Sequence, residues 1–237
     1  MRSDLFAPQN MEQQAKDLFT LQNSKMLKVS LNGEIMARQG SMVAYQGQMN
    51  FEYQGSGGIG KFLKKALTGE GAPLMKVGGQ GELFLAHDAD DIHLIRLEND
   101  ALTVNGGNIL AFEPSIQWDI RKVEGAGMMA GGLFNTLLQG SGWVAITTHG
   151  APVILETAQQ PTFADAQSAV AWSANLQTRV HAQVKLGAFF GRSSGESIQM
   201  GFAGQGFVIV QASEGPTVPA HSHGDSGGSS GFNLNFG

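Results

Sequence analysis

The sequence predicts an all-β chain assembled from three similar β units, and three observations predict it. Apolar and polar residues alternate with a period of two: Leu27, Val29 and Leu31 against Lys28 and Ser30, and Ile116, Trp118 and Ile120 against Gln117, Asp119 and Arg121. That is the period of a strand with one face in a core and the other toward water. Two short motifs recur three times in the same order. Glycine accounts for 33 of the 237 residues, which suits many strands joined by tight turns.

Residues 1–24 are polar, and "MEQQAKDLF" within them predicts one short helix. The β domain spans 25–214, in units of about 25–97, 98–157 and 158–214. The first motif is "GSMVAYQGQMNFEY" (40–53), "GNILAFEPSIQWDI" (107–120) and, more weakly, "QSAVAWSANLQTRV" (167–180). The three align without a gap, so that Ala44, Ala111 and Ala171 share one slot and Tyr45, Phe112 and Trp172 the next. The second motif is Gly-x-Gly leading into an apolar run: "GQGELFLA" from Gly79, "GSGWVAIT" from Gly140 and "GQGFVIVQ" from Gly204. Runs that are apolar on both faces read as central, buried strands. Both motifs repeat about every 65 residues, which predicts sandwich-like β units packed around a pseudo-threefold axis. Residues 215–237 read as a flexible Gly/Ser tail.

Between its two motifs each unit carries a glycine-rich insert. "GSGGIGKFLKKALTGEGAP" and "GAGMMAGGLFNTLLQ" each predict a short apolar helix, since Phe62, Leu63, Ala66 and Leu67, and Leu133, Phe134, Leu137 and Leu138, fall at helical spacing. The third insert is "KLGAFFGRSSGES". Three inserts at equivalent places make a candidate contact surface: Lys61, Phe62, Leu63, Lys64, Lys65 and Leu67 from the first, Leu133, Phe134 and Leu137 from the second, Phe189, Phe190 and Arg192 from the third. The apolar stripes fit a second copy of the chain or another protein partner. The alternative is an anionic membrane surface, which the lysines beside the stripe would also suit.

Other functions are opposed by the residues. "GSGGIGKF" begins like a phosphate loop, but Phe62 stands where a hydroxyl should hold magnesium, and the second insert has no lysine. No nucleotide is expected. The net charge of −5 opposes a grip on nucleic acid. Cysteine is absent, which removes thiolate chemistry and cysteine metal sites. "HDADD" (87–91) lacks the frame of a calcium loop and reads as an acidic turn. His221 and His223 are close together but lie in the tail. No Ser/His/Asp order and no G-x-S-x-G elbow occurs. The expectation is a non-enzymatic protein without cofactor or metal. "MRSDLFAPQN" has no signal-peptide core, and no apolar run approaches membrane-spanning length. The expected location is the cytoplasm, with peripheral attachment to a membrane as the alternative.

The inserts, "ALTGEGAPLM", "NILAFEPSI", "GSGWVAITTHGAPVIL" and "RSSGE" followed by "GFAGQGFVIVQASE" together resemble the altered-inheritance-of-mitochondria (AIM) family of mitochondrial biogenesis proteins, in its bacterial, actinobacterial-like branch. The resemblance covers about residues 4 to 214. It implies three β-sandwich-like repeats similar to the tryptophan RNA-binding attenuation protein (TRAP-like), in pseudo-threefold arrangement. It implies no established enzymatic activity and no ligand residues, and for the mitochondrial members an association with inner-membrane organisation. The ligands of the protein that names the fold are not implied, because fold does not carry function.

Overall fold

The computed structural model describes residues 2–15, 17–53, 74–122, 134–181 and 199–213. Its strands are β1 (Phe19–Asn23), β2 (Met26–Arg38), β3 (Met42–Tyr53), β4 (Leu74–Leu85), β5 (Asp91–Asn105), β6 (Ile109–Phe112) and β7 (Gln117–Lys122). They continue with β8 (Phe134–Thr148), β9 (Val153–Glu156), β10 (Thr162–Asp165), β11 (Ala169–Ser173), β12 (Gln177–His181), β13 (Gln199–Ala203) and β14 (Phe207–Val210). The fold is all-β, as the period of two requires.

Among the described residues the strands form an 11-stranded sheet along the path β3-β4-β2-β6-β8-β5-β11-β14-β9, with β1 on β2 and β7 on β8. A three-stranded sheet runs β10-β13-β12. The runs after Gly-x-Gly are central. β4 lies between β3 and β2, β8 between β5 and the successive pair β6 and β7, and β14 between β11 and β9. Leu83, Leu85, Val144, Ala145 and Val208 in these runs are fully buried. Among the described residues three apolar clusters form the core, around Val29, Val77 and Leu83, around Phe112, Leu138 and Val144, and around Trp172, Phe202 and Val208.

Glycine is demanded where β3 crosses β4. Gly81 pairs with Gly47 on one side and Leu31 on the other, and its φ is +141°. A Cβ on Gly81 would land on the carbonyl oxygen of Gln46. The backbones can approach this closely only without side chains. Likewise a Cβ on Gly142 would meet Ser115 and Glu113, and one on Gly206 would meet Ser173 and Leu176. Each Gly-x-Gly step therefore presses against the middle of a first-motif segment.

Two sequence expectations are corrected here. Residues 11–15 carry no regular secondary structure and Phe19 already begins β1, so among the described residues no helix forms from "MEQQAKDLF". Short 3-10 turns occur earlier, at Asp4–Phe6 and Pro8–Asn10. The segment is tied to β1 and β2 instead: the Gln13 amide donates to Gln22 Oε1 (2.9 Å) and Lys28 Nζ donates to the Gln13 carbonyl (2.8 Å). The second-insert helix is likewise replaced by strand, since Phe134, Leu137 and Leu138 lie on β8. Paired leucines at helical spacing also serve a strand buried on both faces, and registers with β5 and β7 decide between the two.

Alternation along β2 also breaks at Lys28. Lys28, expected to face water, is 4% exposed. Its ammonium donates to Glu12 Oε1 (2.7 Å) and lies 3.5 Å from Glu82 Oε2. The N-terminal segment covers this face and supplies the partner carboxylate.

Candidate protein-interaction surface

Most of the predicted insert surface lies outside the described residues: Lys61, Phe62, Leu63, Lys64, Lys65, Leu67, Leu133, Phe189, Phe190, Arg192 and the tail. Phe134 begins β8. Leu137 is buried at 7% exposure, paired across the sheet with Thr103 and Asp119. A buried strand residue is not a free contact, so the expected role of Leu137 is corrected.

Exposed apolar side chains appear instead along the sheet edges. Leu110 and Phe112 are fully buried, as are Val170 and, at 2%, Trp172; the aligned Val43 and Tyr45 are 52% and 47% exposed. Topology supplies the cause. β6 has a second neighbour in β2 (Met36↔Phe112, Ala37↔Ala111), and β11 has one in β5 (Thr103↔Trp172, Val104↔Ala171). β3 lies at the end of the path, and among the described residues only β4 pairs with it. At the other end, β9 exposes Val153 (52%) and Ile154 (64%), and on β10 Phe163 is 53% exposed. The sequence alignment had equated Tyr45 with Phe112 and Trp172, but only the strand order shows which copy is left at an edge.

Next to the β10 edge lies an open groove of about 540 Å³. Its floor includes Gly201, flanked across the sheet by Phe163 on β10 and Arg179 on β12. Among the described residues Arg179 is the only ionisable side chain lining it. A guanidinium beside Phe163 and Phe202 can hold a carboxylate or a peptide carbonyl.

Ionisable groups cluster elsewhere, at the strand ends. The "HDADD" segment forms a tight turn with Asp88 and Ala89 at positive φ, closed by the Asp90 amide donating to the His87 carbonyl (2.8 Å). Buried Asp90 meets His87 Nδ1 at 3.2 Å and also contacts His149 Nδ1. The His149 amide donates to Gln211 Oε1 (3.0 Å), which also accepts from Asn108 Nδ2 (3.3 Å). Four strand-end segments, at Asp90, Asn108, His149 and Gln211, are tied together this way. Among the described residues no three His, Asp or Glu are placed to share a metal ion.

His93 is neighbour to this cluster. The Thr148 hydroxyl donates its one proton to the Gly150 carbonyl (2.7 Å), so toward His93 Nε2, 2.8 Å away, it accepts. His93 therefore carries its proton on Nε2. Burial pushes its pKa below the ordinary value, with Lys25 adding to that and Asp91 opposing it. Among the described residues no helix is long and apolar enough to cross a membrane.

Comparison with known proteins fits this architecture. A crystal structure of a protein from Streptococcus pyogenes superposes with a TM-score of 0.65 at 21% identity, over 82% of this chain and 91% of that one. At that identity the likeness shows the fold alone. No curated protein matches the chain. The family model for mitochondrial biogenesis AIM24 matches residues 19–213, from the first residue of β1 to just beyond β14. The chain belongs to that family.

Proposed function

We propose that this protein is a non-enzymatic scaffold of three β repeats in pseudo-threefold arrangement, working as an assembly of identical chains. Strand pairing supports the repeats. Each unit supplies three strand lines: β2, β3 and β4; β5, β6 with β7, and β8; β9 with β10, β11 with β12, and β13 with β14. In each the third line is central, and the first lies antiparallel to it. Successive units join through the first line of one and the second line of the next, β2 to β6 and β5 to β11.

One observation carries the assembly: Val43 and Tyr45 lie exposed on an edge strand at positions whose equivalents the neighbouring unit buries. Unpaired edges bearing apolar side chains are templates for pairing with another chain. The test is native mass from dilute to concentrated solution, for the natural chain and for Val43→Asp. Assembly above the single-chain mass of 25.1 kDa, lost in the variant, is the expected result. A single-chain mass throughout would overturn the proposal.

A further inference from the structure

The outer edge of β9 lacks a cover that the corresponding edge of β2 has. The two strands correspond through the runs that follow Gly79 and Gly204. Leu85 and Val210 hold the same place in those runs and pair with Leu27 and Val153; Leu83 and Val208 hold the same place and pair with Val29 and Leu155. On the far side of β2 lies β1, antiparallel, with Phe19 opposite Val29, Thr20 opposite Lys28 and Leu21 opposite Leu27. Leu27, Lys28 and Val29 are all buried. Among the described residues only β14 pairs with β9, and Val153 and Ile154 are more than half exposed.

The chain carries a segment that matches the missing strand. Phe232, Asn233, Leu234 and Asn235 lie outside the described residues and repeat the order of Phe19, Thr20, Leu21 and Gln22: aromatic, polar, leucine, side-chain amide. The period of two is that of a strand with one apolar face. The tether starts in the right place, because β14 ends at Val210, directly beside Val153. Between Ser213 and Phe232 stand the 18 residues 214–231. That length spans up to about 60 Å when extended, and passing β9 and running back along it takes roughly 25 Å. It also exceeds the dozen or so residues that a crossover needs.

We propose that residues 232–235 add to β9 of the same chain as an antiparallel strand, with Phe232 opposite Leu155, Asn233 opposite Ile154 and Leu234 opposite Val153. The register rests on the three-repeat reading. The added strand satisfies the free backbone groups of that edge and covers its apolar side chains. A tether of this kind holds the segment at about millimolar local concentration, so in dilute solution the chain's own segment outcompetes that of a second copy.

The chain contains no cysteine, which permits a direct test on full-length protein. Ile154→Cys is combined in turn with Asn233→Cys, Asn235→Cys and Ser226→Cys, and each pair is oxidised mildly in dilute solution. Asn233→Cys is expected to form a disulfide at single-chain mass at least about tenfold faster than Ser226→Cys, which shares the tether but not the register. Equal rates for all three pairs would overturn the segment as the occupant and leave the repeat reading standing. A fastest link through Asn235→Cys would overturn the register, and with it the correspondence of β9 with β2. A link mainly at two-chain mass would overturn pairing within one chain. As a second readout, Phe232→Asp with Leu234→Asp should quicken amide exchange at residues 153–156 by about tenfold or more, with the buried amides of β4 unchanged. Unchanged exchange at 153–156 would overturn the proposal. Both readouts are repeated on Val43→Asp, which separates them from assembly through β3.

Discussion

The rings of Tyr45 and Phe51 meet edge to face with 5.5 Å between centroids, although they lie on one strand six residues apart. A straight strand would separate them by roughly 20 Å. β3 must therefore fold sharply between them, and the only side-chain-free residue in that interval is Gly47. Across from it lie Gly81 and, two residues away, Gly79. The glycine crossing allows one hairpin to serve two layers of a sandwich.

Two glycine substitutions separate close approach from backbone conformation. Gly33 and Gly81 have nearly equal φ values, +139° and +141°, but a Cβ on Gly33 meets nothing within 4 Å while one on Gly81 enters the β3 backbone. Gly33→Ala should cost about 1–2 kcal/mol from conformation alone. Gly81→Ala should cost at least about 3 kcal/mol, because β3 must move as well. Urea unfolding of both variants measures the difference.

Lys28 makes the N-terminal segment part of the fold. Burial pushes its pKa down, but the hydrogen bond to Glu12 and the charges of Glu82 and Glu12 outweigh this, and the net shift is upward. The contribution is complete below the ordinary lysine value and is lost as pH rises through the raised one. Replacing both carboxylates, Glu12→Ala with Glu82→Ala, leaves a buried ammonium and should cost about 3 kcal/mol. Lys28→Met should cost under about 1 kcal/mol, since it removes the charge and keeps the volume. Lys28→Met should also speed proteolysis within residues 11–15, read by mass spectrometry of early fragments.

His93 gives stability a pH dependence of defined sign. Its folded pKa is depressed, so the unfolded chain binds the proton more readily. Its stabilising contribution is present above the ordinary histidine value and is lost as pH falls through the lower, folded one. Melting temperatures of the natural chain should drop between about pH 7 and pH 5. His93→Gln keeps a donor toward Thr148 but cannot titrate, and should reduce that slope. Equal slopes in both proteins would assign the effect to other groups.

The sequence is informative wherever a rule is local. Alternation located the strands around Leu27 and Ile116, and the Gly-x-Gly runs were readable as central strands because residues apolar on both sides need cover on both sides. "HDADD" was readable as a turn because its acidic spacing fits nothing wider. Long-range choices were not readable. Leu137 and Leu138 fit a helix face and a buried strand equally, and pairing with Thr103 and Leu102 decides between them. Lys28 looked solvated because nothing nearby reveals that residues 11–15 lie over it. Tyr45 aligns in sequence with Phe112 and Trp172. Its exposure comes from standing at the end of the strand order, which no local pattern contains.

Amide hydrogen exchange across β3 at low and high protein concentration tests the central claim most directly. If a second copy covers the β3 edge, protection at residues 43–46 should rise with concentration, while buried amides of β4 and β8 stay protected throughout. Fast exchange at this edge at every concentration, in a sample whose β4 and β8 amides are protected, would contradict it.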